Sequence, residues 1–174
     1  LALPESHGGL ALGLVDAGLI AHQAGRTLSG APFLTSGFGA AKAIELYGSD
    51  AQKARWLPGL ASGDSIGAIA FASGADPLPA QPGGRFADGR VDGIAPAVSG
   101  GVAADIALLF AAGADGPVLA IAELAGVERR TVASFDNSRC LAALVFAGAP
   151  AERLETGGAA RDAALHILAL QAVV

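Results

Sequence analysis

The chain has no methionine, and in its 174 residues there is one cysteine, one tryptophan and one tyrosine; charged side chains make up only 16% of it. Each shortage excludes something. A single thiol, Cys140, cannot form an internal disulfide and fits a reducing compartment such as the cytoplasm. Its setting in "CLAALVF" reads as a buried, inert thiol rather than a nucleophile. Eleven Lys and Arg stand against 16 Asp and Glu, a net charge of −5, and no basic stripe is present. Nucleic acid is therefore not an expected partner. The longest apolar runs, such as 106–114, fall well short of the roughly 20 residues that span a bilayer, so no membrane association is expected. The opening "LALPESHGG" lacks the charged region of a signal peptide. The missing methionine, and an end in "ILALQAVV" without a helix stop signal, are expected of a piece of a longer polypeptide.

What is abundant is small and apolar. Hydrophobic residues make up 52% and there are 25 glycines. Alanine and glycine let elements pack closely but bury little area each. Tight packing is expected, with a partner subunit covering the remainder. Residues 1–64 read as helical. Gly8–Gly9 mark a loop, and an apolar helix from Leu10 to Ala24, ended by Gly25, is expected to be buried because apolar residues surround it. After Pro32, Thr35 or Ser36 can cap a second helix in which Ala40, Ala43, Ile44 and Tyr47 follow helical spacing. Gly48 stops it. Ser49 or Asp50 caps a third, "AQKARW", with Pro58 and the Ser62–Gly63–Asp64 turn ending the helical region.

From Ile66 the period changes. "IGAIAFA" has strand length, and Asp88–Gly89 inside "GRFADGRVDG" is a two-residue hairpin signal. Further strands are expected at 105–112, 117–122, 127–132 and 140–146. Gly157–Gly158 then opens a last helix with Ala160, Ala163, Ala164, Ile167, Leu168 and Gln171 on one side. Helices and strands are segregated, so the fold class is α+β. The expected organisation is an N-terminal α-helical domain (1–64), a small antiparallel β-barrel or sandwich (65–154), and the first helix of a further helical domain (155–174).

Familiar catalytic motifs are missing. "GGLALG" follows no strand and lacks dinucleotide-turn spacing, and neither a P-loop nor a G-x-S-x-G elbow occurs. His7, His22 and His166 are far apart, which argues against a metal site. Lys42 and Glu45 read as a helix-surface pair. These features alone reach a helical layer with a β-domain, and no reaction.

Five collinear segments nevertheless resemble the acyl-CoA dehydrogenase family. They are "LPESHGG" (3–9), "AGRTLSGAPF" (24–33), "YGSDAQKARWLPGLASGD" (47–64), "VDGIAPAVSGGVAAD" (91–105) and "FDNSRCLAALVFAGAPAERL" (135–154). The third is the most specific, resembling G-S-x-x-Q-K followed by L-P-x-L-A-x-G-[DE]. The resemblance implies an FAD-dependent enzyme that desaturates an acyl-CoA thioester, with hydride passing to flavin N5. It implies cofactor-binding roles for Phe71 and Ala72 on the strand facing the ring, for Ser73 just after it near the phosphates, and for Val98 and Ser99, where the Ser99 hydroxyl bonds near N5. The base is expected outside this chain, since Glu5, Glu45, Glu123, Glu128, Glu152 and Glu155 match no family base position. Fatty-acid or steroid thioesters, and a homo- or hetero-oligomer, are the implied partners. Ala72, Ser73, Ala95 and Ala97 depart from the family pattern, which often has Thr, Glu, Lys and an aromatic there. The departures imply the alternative of a flavin-site-degenerate, non-catalytic subunit in a heteromer.

Overall fold

The structure, a computed structural model, describes residues 2–136 and 139–174. Its clearest local signal is at Ser49. The Ser49 hydroxyl accepts from the Gln52 amide at 3.3 Å, and Gln52 Oε1 accepts from the Ser49 amide at 2.9 Å. This reciprocal box satisfies two donors at the helix start. The helix it opens spans Asp50–Ser62 and ends at Gly63, whose φ of 86° is left-handed. Pro58 lies inside that helix instead of ending it. A proline removes one bond to the carbonyl four residues earlier, here Ala54, which is exposed to water and can be solvated.

The preceding helices also depart from expectation. The first, α1, spans Leu14–Arg26. It starts later than Leu10 because Ala11 takes a left-handed φ of 49° and Asp16 Oδ2 accepts from the Gly13 amide at 3.2 Å. It is not buried: Ala17 alone is enclosed, while Val15 is 79% and Leu19 63% exposed. Next comes a π-helix, Phe33–Ala41, running straight into α2, Lys42–Tyr47; the helix capped by Ser49 is α3. Thr35 and Ser36 therefore sit within the π-helix and cap nothing. The Ser36 hydroxyl instead accepts from the Gly67 amide at 3.0 Å, tying the helical layer to the first strand. Lys42 and Glu45 do pair, at 2.6 Å.

Among the described residues, seven strands follow: β1 Gly67–Ala70, β2 Gly84–Ala87, β3 Arg90–Ser99, β4 Ile106–Gly113, β5 Gly116–Glu123, β6 Glu128–Val132 and β7 Leu141–Arg153. Asp88 and Gly89, both at positive φ, make the two-residue turn between β2 and β3, the geometry that matches strand twist. β4 pairs with β5 on one side and with β1 and β2 on the other; β2 pairs with β3, β3 with β7, and the end of β7 returns to β5. The ring closes into a small barrel, with β6 added along β7. The β1–β4 and β2–β4 pairings are parallel, so the sheet is not wholly antiparallel. The chain passes through the β2–β3 hairpin before β4 is laid beside β1, which brings β4 back in the same direction.

β4 shows how the layers meet. Its alternate residues Ala107, Leu109 and Ala111 face the barrel interior with Val91, Val98 and Leu144. Ile106, Leu108 and Phe110 face the helices, packing with Ile44, Leu57 and Ile167. A strand buried on both faces reads as continuously apolar. Helix α4, Ala160–Val173, covers the same layer through Ala160, Ala163, Ala164 and Ile167, as its spacing predicts.

β1 lies directly against the π-helix, and Gly67 makes this possible: a Cβ there would overlap the Cβ of Ala40. Replacing Gly67 with Ala is expected to cost about 1–3 kcal/mol by overpacking. Gly18→Ala on α1, where a methyl meets open space, should instead stabilise by up to about 1 kcal/mol. Denaturant unfolding of the two variants of the full-length protein checks the contrast.

Candidate functional site: a cleft at the end of β3

The last residue of β3 is Ser99, half-buried, and Gly100 turns the chain there with φ of 73°. The Gly100 amide donates to the Cys140 carbonyl at 2.9 Å, fixing the turn to the start of β7. Facing it are Ala21, Ala24 and Gly25 of α1 and the segment from Leu28 to Thr35. Ile66, Arg139 and Gln171 complete a cleft of about 780 Å³. Small-molecule and cofactor sites occupy about 300–1,000 Å³ and are mostly apolar with a few fixed polar groups. This cleft has that character. Its walls are chiefly Ala, Gly, Pro, Leu and Phe, and its polar side chains are Ser29, Thr35, Ser99, Arg139 and Gln171, with the Cys140 thiol at the rim.

Each polar group is held differently. Thr35 Oγ1 donates to the Pro32 carbonyl at 3.4 Å. Gln171 Nε2 donates to the Leu34 carbonyl at 2.7 Å, linking α4 to the π-helix. Arg139 lies 3.6 Å from Asp136 and is 65% exposed. No carboxylate is among the lining residues. Cys140 is exposed, not buried as its apolar neighbours suggest. The strand begins one residue later, at Leu141, and Cys140 belongs to the turn beside Gly100.

The five residues proposed from the sequence do not share one wall. Ser99 lines the cleft. Val98 points the other way, into the barrel core, and is 1% exposed. Phe71 is buried in the helix-facing core with Leu78 and Phe110. Phe71 and Ala72 border a separate hollow of about 10 Å³, with Gly83, Gly84 and Ala95. Ser73 starts a tight loop: its amide donates to the Asp76 carbonyl at 3.1 Å, and Asp76 Oδ1 accepts from the Leu78 amide at 3.0 Å. Arg161 of α4 clamps that loop by donating to the carbonyls of Pro79 and Leu78 at 3.0 and 3.1 Å. Thr35, Arg139 and Cys140 were not foreseen as site residues. Gln171 carried a signal, being the lone polar residue on the apolar side of its helix.

The two ends suit a flavin dinucleotide unequally. A mostly apolar wall carrying the Ser99 hydroxyl would suit the ring. Ser73–Leu78 would suit phosphates poorly, since the Ser73 and Leu78 amides bond within the loop and the Asp76 carboxylate occupies the turn.

Ionisable groups also gather outside the cleft, at Tyr47 and at Arg55. The Tyr47 hydroxyl bonds to His166 Nδ1 at 2.8 Å, joining α2 to α4, and burial raises the Tyr47 pKa. Burial works against the Arg55 charge, but Glu123 and Glu152 outweigh it and raise the pKa. Among the described residues, no three His, Cys, Asp or Glu side chains gather to hold a metal, and no helix is long and apolar enough to cross a membrane.

Residues 1–64 match the acyl-CoA dehydrogenase N-terminal domain. The fold extends the likeness over almost the whole chain. The Tcur3481-Tcur3483 steroid ACAD is 27% identical with a TM-score of 0.82, over 98% of this chain and 48% of that one. An acyl-CoA dehydrogenase complexed with FAD from Bacillus anthracis is 25% identical with a TM-score of 0.81, over 97% and 32%. Over residues 1–64 the sequence is similar to that N-terminal domain, and the fold of nearly the whole chain is that of acyl-CoA dehydrogenase structures. The ChsE4-ChsE5 complex from Mycobacterium tuberculosis, at 23% identity and a TM-score of 0.79 over 96% and 46%, shares the fold. No curated protein matches the sequence. The chain thus spans about half the length, or less, of these acyl-CoA dehydrogenase-like structures.

The position of Cys140 gives a direct check. In the folded full-length protein, iodoacetamide should alkylate Cys140 at a rate close to that of the denatured chain, read by peptide mapping. Strong protection with the cleft empty would show that the thiol is covered.

Proposed function

We propose that the complete protein is an FAD-dependent acyl-CoA dehydrogenase, and that the cleft at the end of β3 is this chain's share of the site for flavin and acyl thioester. The observation that carries the reading is Ser99: a half-buried hydroxyl on a mostly apolar cleft wall, in a chain whose N-terminal region and fold resemble this family's. Bound FAD supplies the hydride acceptor for desaturation between the α and β carbons of the thioester. This chain's residues have simpler tasks. The Ser99 hydroxyl offers a hydrogen bond to the edge of the ring. Ala21, Ala24, Ile66 and Phe33 exclude water, which strengthens every polar contact in the cleft. The base that removes the α-proton is assigned to no residue of this chain. The reading includes an oligomer, and the exposed Leu14, Val15 and Leu19 of α1 are apolar surface that such assembly would cover.

A second reading has its own support. Ala97, exposed beside Ser99, offers no aromatic cover, and Asp76 occupies the turn that would face phosphates. On this reading the chain is a non-catalytic subunit that completes its site with a partner of the same family. Steroid-CoA thioesters belong to both readings as a substrate class, supported by the likeness to a steroid ACAD.

Absorbance separates the readings. The full-length protein purified alone is expected to be yellow with one flavin per chain under the first, and colourless until a second family subunit is co-expressed under the second. Where flavin binds, Ser99→Ala should weaken it by roughly 2- to 12-fold, the equivalent of about 0.5–1.5 kcal/mol for one neutral hydrogen bond. Ala97→Trp should tighten it several-fold by adding an aromatic face. Unchanged flavin affinity in both variants would place the ring elsewhere.

A further inference from the structure

Gln171 stands out among the cleft's polar groups because only part of it is engaged. Its Nε2 donates one hydrogen to the Leu34 carbonyl at 2.7 Å. A glutamine amide carries two N–H donors and a carbonyl with two lone pairs. The bond to Leu34 fixes which end is nitrogen, since a carbonyl accepts only from N–H. Among the described residues nothing else bonds to this amide, so one N–H and Oε1 remain uncommitted on a cleft wall.

The amide is also held in place. The side chain crosses over Gly39, where a Cβ would stand 3.2 Å from Nε2 and overlap Ile69. Gly39 leaves the space through which Gln171 reaches Leu34. Its backbone is fixed too, because α4 is fastened by buried Ala163, Ala164 and Ile167. A donor and an acceptor side by side on a rigid support match a hydroxyl, which both donates and accepts. Around them the wall is apolar, with Leu34, Phe33 and Ile66.

We propose that Gln171 is a specificity-determining residue: anchored by the Leu34 carbonyl, its amide recognises a hydroxyl carried by the acyl group. The proposal rests on the reading of this cleft as an acyl-thioester site. It predicts a preference for hydroxylated over plain acyl chains, which an all-apolar pocket would not show.

The test uses octanoyl-CoA and its terminally hydroxylated counterpart, with dissociation constants measured by calorimetry on the full-length protein. The wild type is expected to bind the hydroxylated thioester several-fold more tightly. Gln171→Leu should abolish that preference, the hydroxylated thioester losing several-fold more affinity than octanoyl-CoA does. Equal binding of both thioesters by the wild type, with no variant needed, overturns the role of Gln171 and leaves the acyl-site reading standing. A preference that persists in Gln171→Leu does the same. Failure to bind either thioester overturns the acyl-site reading and this proposal with it.

Discussion

The contact between β1 and the π-helix governs the rest of the molecule. Gly67 brings the strand against Ala40 at a separation that a side chain would forbid, and Gly39 does the same for Ile69. The Ser36 hydroxyl then accepts from the Gly67 amide, a donor that the tightly packed strand would otherwise leave unpaired. An unmade bond at a buried amide costs about 1–3 kcal/mol, so the glycine and the serine act together. With the helix pinned to the first strand, its N-terminal turn faces the end of β3. The cleft is the space between them. A bulkier residue at position 67 would move both walls at once.

From that junction the two cores follow. β4 presents Leu109 to the barrel and Leu108 to the helices, so it is shared by both. The helices cannot be lifted off without exposing Ile106, Leu119 and Ile121, all close to fully buried. Burial of a single such side chain is worth about 1.5–3 kcal/mol, and several are removed from water along one interface. The exposed α1 makes the opposite case. It contributes Ala17 alone to a core, and its apolar side chains face outward. Helix α1 is therefore held chiefly by its own backbone and caps, and it forms the least anchored wall of the cleft.

Much of this was legible in the sequence, and the failures have physical causes. The hairpin at Asp88–Gly89, the cap at Ser49 and the buried side of α4 were readable because each is specified by neighbours within a few residues. Burial of α1 was misread because periodicity reports where apolar residues lie, not what covers them. Pro58 was misread as a stop because an exposed carbonyl can tolerate a lost partner. Parallel pairing of β1 with β4 depends on contacts nearly forty residues apart, which no local pattern encodes. At the site, residue patterns alone named no chemistry; Ser99 became legible through family resemblance. Cys140 was hidden by its apolar neighbours. Gln171 was visible as an odd polar residue, but its link to Leu34, 137 positions away, was not.

The loop from Ser73 to Pro79, where the family resemblance would put phosphate contacts, is already committed to other bonds. Two bonds close the loop on itself, and Arg161 adds two more from α4. At about 0.5–1.5 kcal/mol each, freeing the Ser73 and Leu78 amides for a phosphate would cost about 1–3 kcal/mol before any new contact formed. The Asp76 carboxylate would add repulsion against an anion at the same place. On the proposed reading the ring and the phosphates meet different constraints: Ser99 keeps a hydroxyl on a mostly apolar wall, while the 73–79 loop braces α4. A dinucleotide bound with its ring at Ser99 must draw its phosphate contacts from other residues, and this requirement makes a shared site more economical than one built by this chain alone.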